Sequence, residues 1–345
     1  MTAALEPATK AELCSALAET SCPVRLCGTG SRLARRAADG EGAVRISLRR
    51  ISGIERLDAE DLTCSVAAGL PRAELDEALA ERGLELACPG AGTLGGLFAS
   101  DPIGPETPRG PCPRSLLLGL EGVLAEGKAF RSGARVVKSV AGFDLHKLFV
   151  GSGGRLFAAT LLHLRLRPRP RARTYFRTAP SSAADSLGLF ARLCREPVPP
   201  ETIRLVRAGG NAFVEGSLAG RPEAIRRFAR RFGLREVERI GPDSFDPEGH
   251  PHTLDGVLAP SRLGGFLEAL PAGSPFVVRG GGRLSVALAD GEAQRMLSVL
   301  AEHQGHGVLC SRHAAVDGAA TPRDEGALRL EQAVKRALDP RGKLR

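Results

Sequence analysis

Three glycine-dense segments in the first half of the chain carry the residue types that hold an anion or a flat ligand against backbone amides. The first is Gly28-Thr29-Gly30-Ser31, directly after the apolar run Val24-Arg25-Leu26-Cys27. A strand feeding such a turn presents amide and hydroxyl donors that can cradle a pyrophosphate. The second runs Pro89-Gly90-Ala91-Gly92-Thr93-Leu94-Gly95-Gly96, with four glycines between positions 90 and 96. Glycine lets backbone approach a ligand closely, and Thr93 adds a hydroxyl. Leu94, Leu97 and Phe98 argue for burial of this segment over a flexible surface loop. The third, Gly151-Ser152-Gly153-Gly154, follows Lys138, a turn at Ala141-Gly142 and the amphipathic stretch Phe143 to Val150. That stretch reads as about two helical turns, with Asp144 near its start, where a carboxylate accepts from unpaired amides. A helix, a glycine loop and the apolar strand Leu156–Leu166, in that order, suit a flat cofactor or an anion. Each segment alone is equally an ordinary turn. Three of them, each after a strand or turn, point to one extended cofactor.

Other chemistry is weakly signalled. Gly28-x-Gly30 is not followed by the G-x-G-x-x-G pattern of a dinucleotide-binding βαβ unit. The eight cysteines are scattered and none forms a C-x-x-C pair, so neither a zinc nor an iron–sulfur site is expected and reduced thiols are the reading. His250-Pro251-His252 and His303-x-x-His306 have spacings a metal can use, but no third ligand accompanies them. They are read as loop histidines, with no metal site. No residue set stands out as catalytic.

The chain has 345 residues, is 43% hydrophobic and 25% charged, and is long enough for two domains with sizeable cores. No apolar run reaches membrane-spanning length, and the first residues lack the basic region and apolar core of a signal peptide. A net charge of +9 comes mostly from arginine, in clusters at 165–177 and 226–239. Nucleic-acid binding is weighed on that charge, but no tryptophan and one tyrosine leave few platforms for base stacking. Arginines interleaved with Ile225, Phe228 and Phe232 read instead as a solvated face or a docking surface for an acidic partner.

The elements that must position these segments follow from periodicity and punctuation. Helices are expected over 8–19 and from Pro71 to Gly83, and strands at Val24–Cys27, Val44–Leu48 and Leu62–Ala67. A hairpin is expected from Leu116 to Arg131 around Glu126-Gly127. Residues 101–115, with five prolines, read as a rigid excursion. Beyond residue 170, strands at 174–177, 203–206, 211–216, 276–279 and 284–289 and helices at 182–194 and 221–233 suggest an antiparallel sheet covered on one side.

Taken in order, "RLCGTGSRL", "PGAGTLGGLFASDPIGP", "RVVKSVAGFDLHKLFVGSGG" and "LRLRPRP" resemble the FAD-binding domain of the vanillyl-alcohol oxidase and p-cresol methylhydroxylase type. "TLGGLFA" with "VVKSVAGFDLHKLFVGS" is similar, more narrowly, to the FAD-binding subunits of bacterial glycolate oxidase, as is the closing "KRALDPRGKLR". The resemblance implies an α+β protein: an FAD-binding domain of two α/β subdomains over 1–170, an α+β cap over 171–320, and a segment 321–345 returning to the first domain. It implies non-covalent FAD. Gly28, Thr29, Gly30 and Ser31 would hold the pyrophosphate. Pro89, Gly90, Thr93, Leu94, Gly95 and Gly96 would line the pyrophosphate and the flavin edge. Gly142 and Asp144 would brace the adjoining turn, Gly151 to Gly154 would lie against the adenosine side, and Lys138 would lie close by.

The chain departs from the family pattern at Gly154-Arg155-Leu156-Phe157, where bulk would narrow the adenosine side, and at Asp101, which places negative charge beside a pyrophosphate. Cys27 is a weak candidate for covalent attachment. The resemblance implies hydride transfer from a 2-hydroxy acid to FAD in a complex with a paralogous flavin subunit and an iron–sulfur subunit. Such a complex is cytoplasmic, or peripheral at the inner face of a membrane. The departures motivate an alternative, a non-catalytic scaffold of the same fold.

Overall fold

The computed structural model describes residues 4–30, 43–88, 90–100, 112–135, 143–208, 210–240, 249–311, 319–322 and 324–345. They form two compact units. The first takes the described residues of 1–102, 111–169 and 324–345, and the second those of 170–323.

In the first unit, β1 (Ala4–Leu5) leads to α1 (Lys10–Glu19). Thr9 caps α1 by accepting from the Glu12 N–H, while Glu12 Oε2 accepts from the Ala8 N–H at 2.9 Å. Then come β2 (Val24–Cys27) and β3 (Val44–Ser47), which with β1 make a parallel sheet in the order β1-β3-β2. Next are β4 (Ile54–Asp58), β5 (Thr63–Ala67), α2 (Arg72–Ala80), β6 (Leu84–Glu85), α3 (Leu94–Ser100) and α4 (Pro113–Leu116). The hairpin β7 (Leu117–Val123) and β8 (Ala129–Gly133), a 3₁₀ turn at Leu145–Leu148, β9 (Ala158–Arg165) and β10 (Arg167–Pro168) follow. β4, β5, β9, β7 and β8 pair antiparallel in that order. On one face of this sheet, Leu75 and Leu79 of α2 and Leu94, Leu97 and Phe98 of α3 bury against Cys64, Val66, Leu120, Leu162 and Leu164. Leu13 and Leu17 of α1 bury against Val24 and Ile46. The spacing of the apolar residues, three or four apart on the helices and two apart on the strands, is what produces these contacts.

The second unit contains β11 (Ala172–Arg177), α5 (Ala183–Arg195), β12 (Thr202–Ala208), β13 (Asn211–Gly220), α6 (Pro222–Phe232) and β14 (Arg235–Val237). It continues with β15 (His252–Val257), α7 (Leu263–Glu268), β16 (Phe276–Arg279), β17 (Arg283–Leu288), α8 (Ala293–Glu302) and β18 (His306–Ser311). Its strands form one antiparallel sheet in the order β14-β11-β13-β12-β16-β17-β15-β18. Phe190, Ile225, Phe266 and Met296, one from each helix, share a core with Ile203, Val214, Phe276 and Val286. All four helices therefore cover one face, as the sequence pattern suggests. Alternate residues on the other face form an ion ladder, in which the buried Glu215 takes the exposed Arg177 at 2.7 Å and the buried Arg204 at 2.5 Å. α6 stops at Gly233, whose φ of 63° only glycine adopts cheaply.

The last described segment belongs to the first unit: α9 (Glu325–Leu338), capped by Asp324, then a tight turn. The buried Asp339 carboxylate accepts from the Lys343 and Leu344 N–H groups at 2.9 and 2.8 Å and pairs with Lys335 at 2.5 Å. Leu344 then bridges in parallel to Val24 of β2, and Lys343 Nζ donates to Leu17 O of α1.

The sequence reading of 143–150 needs correction. A single 3₁₀ turn stands there instead of two helical turns, and Asp144 makes no capping hydrogen bond. Ser132 Oγ takes the capping place from across β8, accepting the His146 N–H at 3.1 Å. Phe143 is 98% exposed, so no apolar face remains to hold a longer helix. The histidines expected in loops also differ: His252 is buried within β15, 3.1 Å from Asp290, and His306 opens β18.

Candidate functional site

The three glycine segments meet at one cleft in the first unit, of about 750 Å³ including its open mouth. β2 delivers Cys27, Gly28, Thr29 and Gly30 to one wall. Gly30 has φ 77°, and the Leu48 N–H to Cys27 O hydrogen bond ties this turn to the end of β3. The second segment supplies Thr93, Gly95 and Gly96 where α3 begins. It is fixed by backbone hydrogen bonds from Leu94 to Leu70 O and from Gly95 to Ala68 O, and Pro71 bridges to Thr93. The third supplies Gly153 and Gly154. Its amides rest on the carbonyls at the α3 end, Gly151 on Phe98 O at 3.2 Å and Gly153 on Ala99 O at 2.8 Å. α3 is thus the shared brace of the second and third turns.

Two glycines shape the space. At Gly28 a Cβ would fall 2.0 Å from Thr93 Oγ1, so the first two turns pack directly on each other. At Gly154, which lines the cleft, a Cβ would meet nothing nearer than Leu26 at 3.5 Å, an ordinary contact, and the residue's φ of 78° is itself a glycine conformation. The remaining wall is apolar: Leu26, Leu48, Ala68, Ala99, Phe149, Phe157, Ala158 and Ala159. Sequence reasoning did not single these out as lining residues. They are the strand-end and helix-end neighbours of the glycines, and that adjacency is the signal that could have found them.

The structure sorts the expected site residues. Gly28, Thr29, Gly30, Thr93, Gly95, Gly96 and Gly154 line the cleft. Leu94 does not: it is fully buried in the core with Leu75 and Leu79, because the α3 turn aims it at the sheet. Gly90 and Gly151 are exposed and outside the lining. Asp144 is an exposed side chain 4.0 Å from His146 Nε2 and braces nothing. Ser31, Pro89, Lys138, Gly142 and Asp101 lie outside the described residues. Arg155 turns away from the cleft toward α9, 3.8 Å from Glu331. Phe157 is a wall residue with no exposure, edge-on to Phe130 and stacked with Phe149.

Around the cleft several amides and cations are already used. The Gly96 N–H donates to Thr93 Oγ1, and the Gly154 N–H to Ser152 Oγ. Lys147 Nζ donates to Leu117 O and Arg114 O while Arg114 returns a bond to Lys147 O, and burial pulls the Lys147 pKa down. Cys27 lines the cleft, and its thiol donates to Ile46 O at 3.7 Å. No group of three or more His, Cys, Asp or Glu side chains among the described residues could hold a metal ion.

Comparison with known proteins adds the following. Residues 1–133 match the FAD binding domain family. The chain is 29% identical to glycolate oxidase subunit GlcE of Escherichia coli, covering 86% of this chain and 84% of that protein. It is 30% identical to D-lactate dehydrogenase of Archaeoglobus fulgidus and 31% identical to glycolate oxidase subunit GlcD of Bacillus subtilis. There it spans only 41% and 32% of the relative. A solved structure of alkyldihydroxyacetonephosphate synthase shares the fold, with a TM-score of 0.68 at 13% identity over 99% of this chain and 76% of that one.

The cleft fits that cofactor. An elongated dinucleotide needs a close backbone approach over its diphosphate and a dry wall for its ring systems. Here side-chain-free positions at 28, 30, 95, 96, 153 and 154 face a wall of alanine, leucine and phenylalanine. Arg155 and Phe157, whose bulk the sequence placed in the way, take up surface and core positions respectively. Residues 1–133 carry an FAD binding domain, of the p-cresol methylhydroxylase type that the sequence resembles, and the cofactor is FAD.

Proposed function

We propose that this chain is the FAD-binding subunit of a glycolate oxidase-like 2-hydroxy acid dehydrogenase complex. The carbinol carbon of a small 2-hydroxy acid gives up a hydride and its hydroxyl a proton, leaving the 2-oxo acid. Bound non-covalently, FAD supplies the two-electron acceptor. The chain's own contribution is to hold and exclude. Gly28, Thr29 and Gly30, packed against Thr93, Gly95 and Gly96, would offer the bare backbone that receives the diphosphate, Gly154 would leave room on the adenosine side, and Phe149 and Phe157 with the wall alanines would keep water out. No catalytic residue is assigned.

The single observation that carries this reading is the convergence of all three glycine turns on one cleft, in a chain alignable over most of a glycolate oxidase subunit. Electrons must then leave. Cys64 is buried and Cys194 half-buried, with burial pushing both thiols up to about 12, and no cluster-ligand set occurs among the described residues. Onward transfer therefore falls to partners, a paralogous flavin subunit and an iron–sulfur subunit. The arginine-rich surface of α6 suits docking to an acidic one. None of the helices among the described residues is long and apolar enough to cross a membrane, and a cytoplasmic complex, or one peripheral to a membrane, accords with that.

The test is the absorbance spectrum of the purified chain. Twin flavin bands released by heat, and bleached on adding glycolate in the presence of the co-expressed partners, are expected. A colourless protein that takes up no added FAD would put the non-catalytic scaffold reading first.

A further inference from the structure

Arg72, the first residue of α2, does not line the cleft, yet it gathers the loop that shapes it. Its guanidinium donates from Nη2 to Leu86 O at 2.9 Å and from Nη1 to Cys88 O. Its Nε donates to Asp76 Oδ1 at 2.8 Å, one helical turn along, which sets the plane of the fork. Its own N–H donates to Gly92 O at 2.8 Å. One residue thus bonds three carbonyls across positions 86–92, and its side chain is only 11% exposed.

Beside these bonds, the Cys88 N–H donates to Leu86 O and both residues are buried in the core. Gly90 and Gly92 sit at φ 124° and 89° and offer no side chains to pack. Thr93 follows at once, with its side chain where a Cβ on Gly28 would lie and its hydroxyl accepting from the Gly96 N–H. The position of Thr93 is set jointly by this loop, by the Pro71 bridge and by the bonds from Leu94 to Leu70 O and from Gly95 to Ala68 O, and Thr93 packs against the first glycine turn. A planar five-donor fork can satisfy two diverging carbonyls at once, whereas a lysine reaches one.

We propose that Arg72, oriented by Asp76, is a positioning residue for FAD binding: it clamps the 86–92 loop so that Thr93 and the second glycine turn meet the first at the spacing the cofactor requires. This rests on the placement of FAD in the cleft proposed above.

The experiment measures the dissociation constant for FAD by titrating the deflavinated protein, together with the melting temperature of that FAD-free protein, for wild type, R72K, R72Q and D76N. A G28V control is carried alongside. R72Q is expected to weaken FAD binding roughly tenfold or more, R72K to fall between it and wild type, and D76N to lose severalfold. The FAD-free melting temperatures should fall by no more than about a few degrees, from the loss of a donor to two carbonyls of buried residues, and the loss of FAD affinity should exceed that shift. Wild-type FAD affinity in R72Q, or affinity losses that merely track a lowered melting temperature, would overturn the assignment. Should R72Q not fold, R72K and D76N decide by the same criterion. Full flavin retention in G28V would instead overturn the placement of the cleft itself, which separates the two failures.

Discussion

Thr93 fills the space that a side chain on Gly28 would need, with its Oγ1 2.0 Å and its Cγ2 2.8 Å from the position of that missing Cβ. Gly28 is not among the glycines with positive φ, so its backbone would accept alanine and the obstacle is Thr93 alone. Gly28→Ala should cost about 1–3 kcal/mol by overpacking and release flavin. Pairing it with Thr93→Gly should restore much of both. A double-mutant cycle on melting temperature and flavin content checks this, and additivity of the two substitutions would contradict the contact.

Gly154 makes the opposite case, because a Cβ there meets only the cleft-lining Leu26, at an ordinary contact distance. Gly154→Leu should abolish flavin uptake, with a backbone cost of about 1–2 kcal/mol for the left-handed conformation. Gly30→Val, at φ 77°, should behave alike. Retention of flavin at full occupancy in either folded variant would place the cofactor elsewhere.

His163 gives the first unit a pH dependence. Its Nδ1 lies 2.8 Å from Ser65 Oγ in a buried pair, and burial, with Arg135 adding to it, holds its pKa below 6.5. His146 is shifted the same way, by burial first and Lys147 second. Below the unfolded value of 6.5 the unfolded chain takes up protons that the folded one refuses. The stabilisation is therefore complete above that pH and is lost on acidification through it. The melting temperature should fall as pH drops from about 7.5 to about 5.5, and His163→Gln should flatten the slope. An unchanged slope in that variant would remove His163 from the account.

The thiols should react in two classes. Cys22 and Cys112 are exposed, whereas burial pushes Cys64 and Cys194 up to about 12. A thiolate-selective disulfide reagent should label the first pair in the native protein and the second only after unfolding. Fast native labelling at Cys64, read by peptide mapping, would contradict its burial.

On α6, Ile225 is buried and Phe228 and Phe232 pack against the core, while Arg226, Arg227, Arg230 and Arg231 are exposed. Arg231 pairs with Glu196 and Arg226 with Glu223; Arg227 and Arg230 make no ion pair among the described residues. Reversing them with Arg227→Glu and Arg230→Glu should leave stability within about 0.5 kcal/mol. The same change should weaken association with a co-expressed acidic partner subunit. Undiminished co-purification would move the docking face elsewhere.

How far the sequence spoke depended on what each element needed. Strands such as Thr63–Ala67 and Ala158–Arg165, and α2 with Leu75 and Leu79 on one face, were legible because burial imposes their periodicity. β4 was not: it is largely exposed, and Ile54-Glu55-Arg56 presents no apolar face to read. α8 was missed although Met296, Leu297 and Leu300 share a face, because Glu292 makes no capping bond and nothing marks the start. The glycines of the cleft were visible because glycine announces a turn. Its wall was not, since Ala68 or Phe157 reads the same in sequence whether it faces a core or a ligand.

Lys343, which donates to Leu17 O, is 326 positions away from it in sequence, and the Val24 N–H donates to Lys343 O at the base of the strand that ends in Gly28. That strand already pairs with β3, and the Leu48 N–H already holds Cys27 O. The contact with Lys343 adds a support from the far end of the sequence beneath the same turn. Removing residues 343–345 would therefore take away the acceptor of the Val24 N–H and the Lys343 contact with α1 beneath the first turn, while the backbone bonds that hold the second and third turns stay in place.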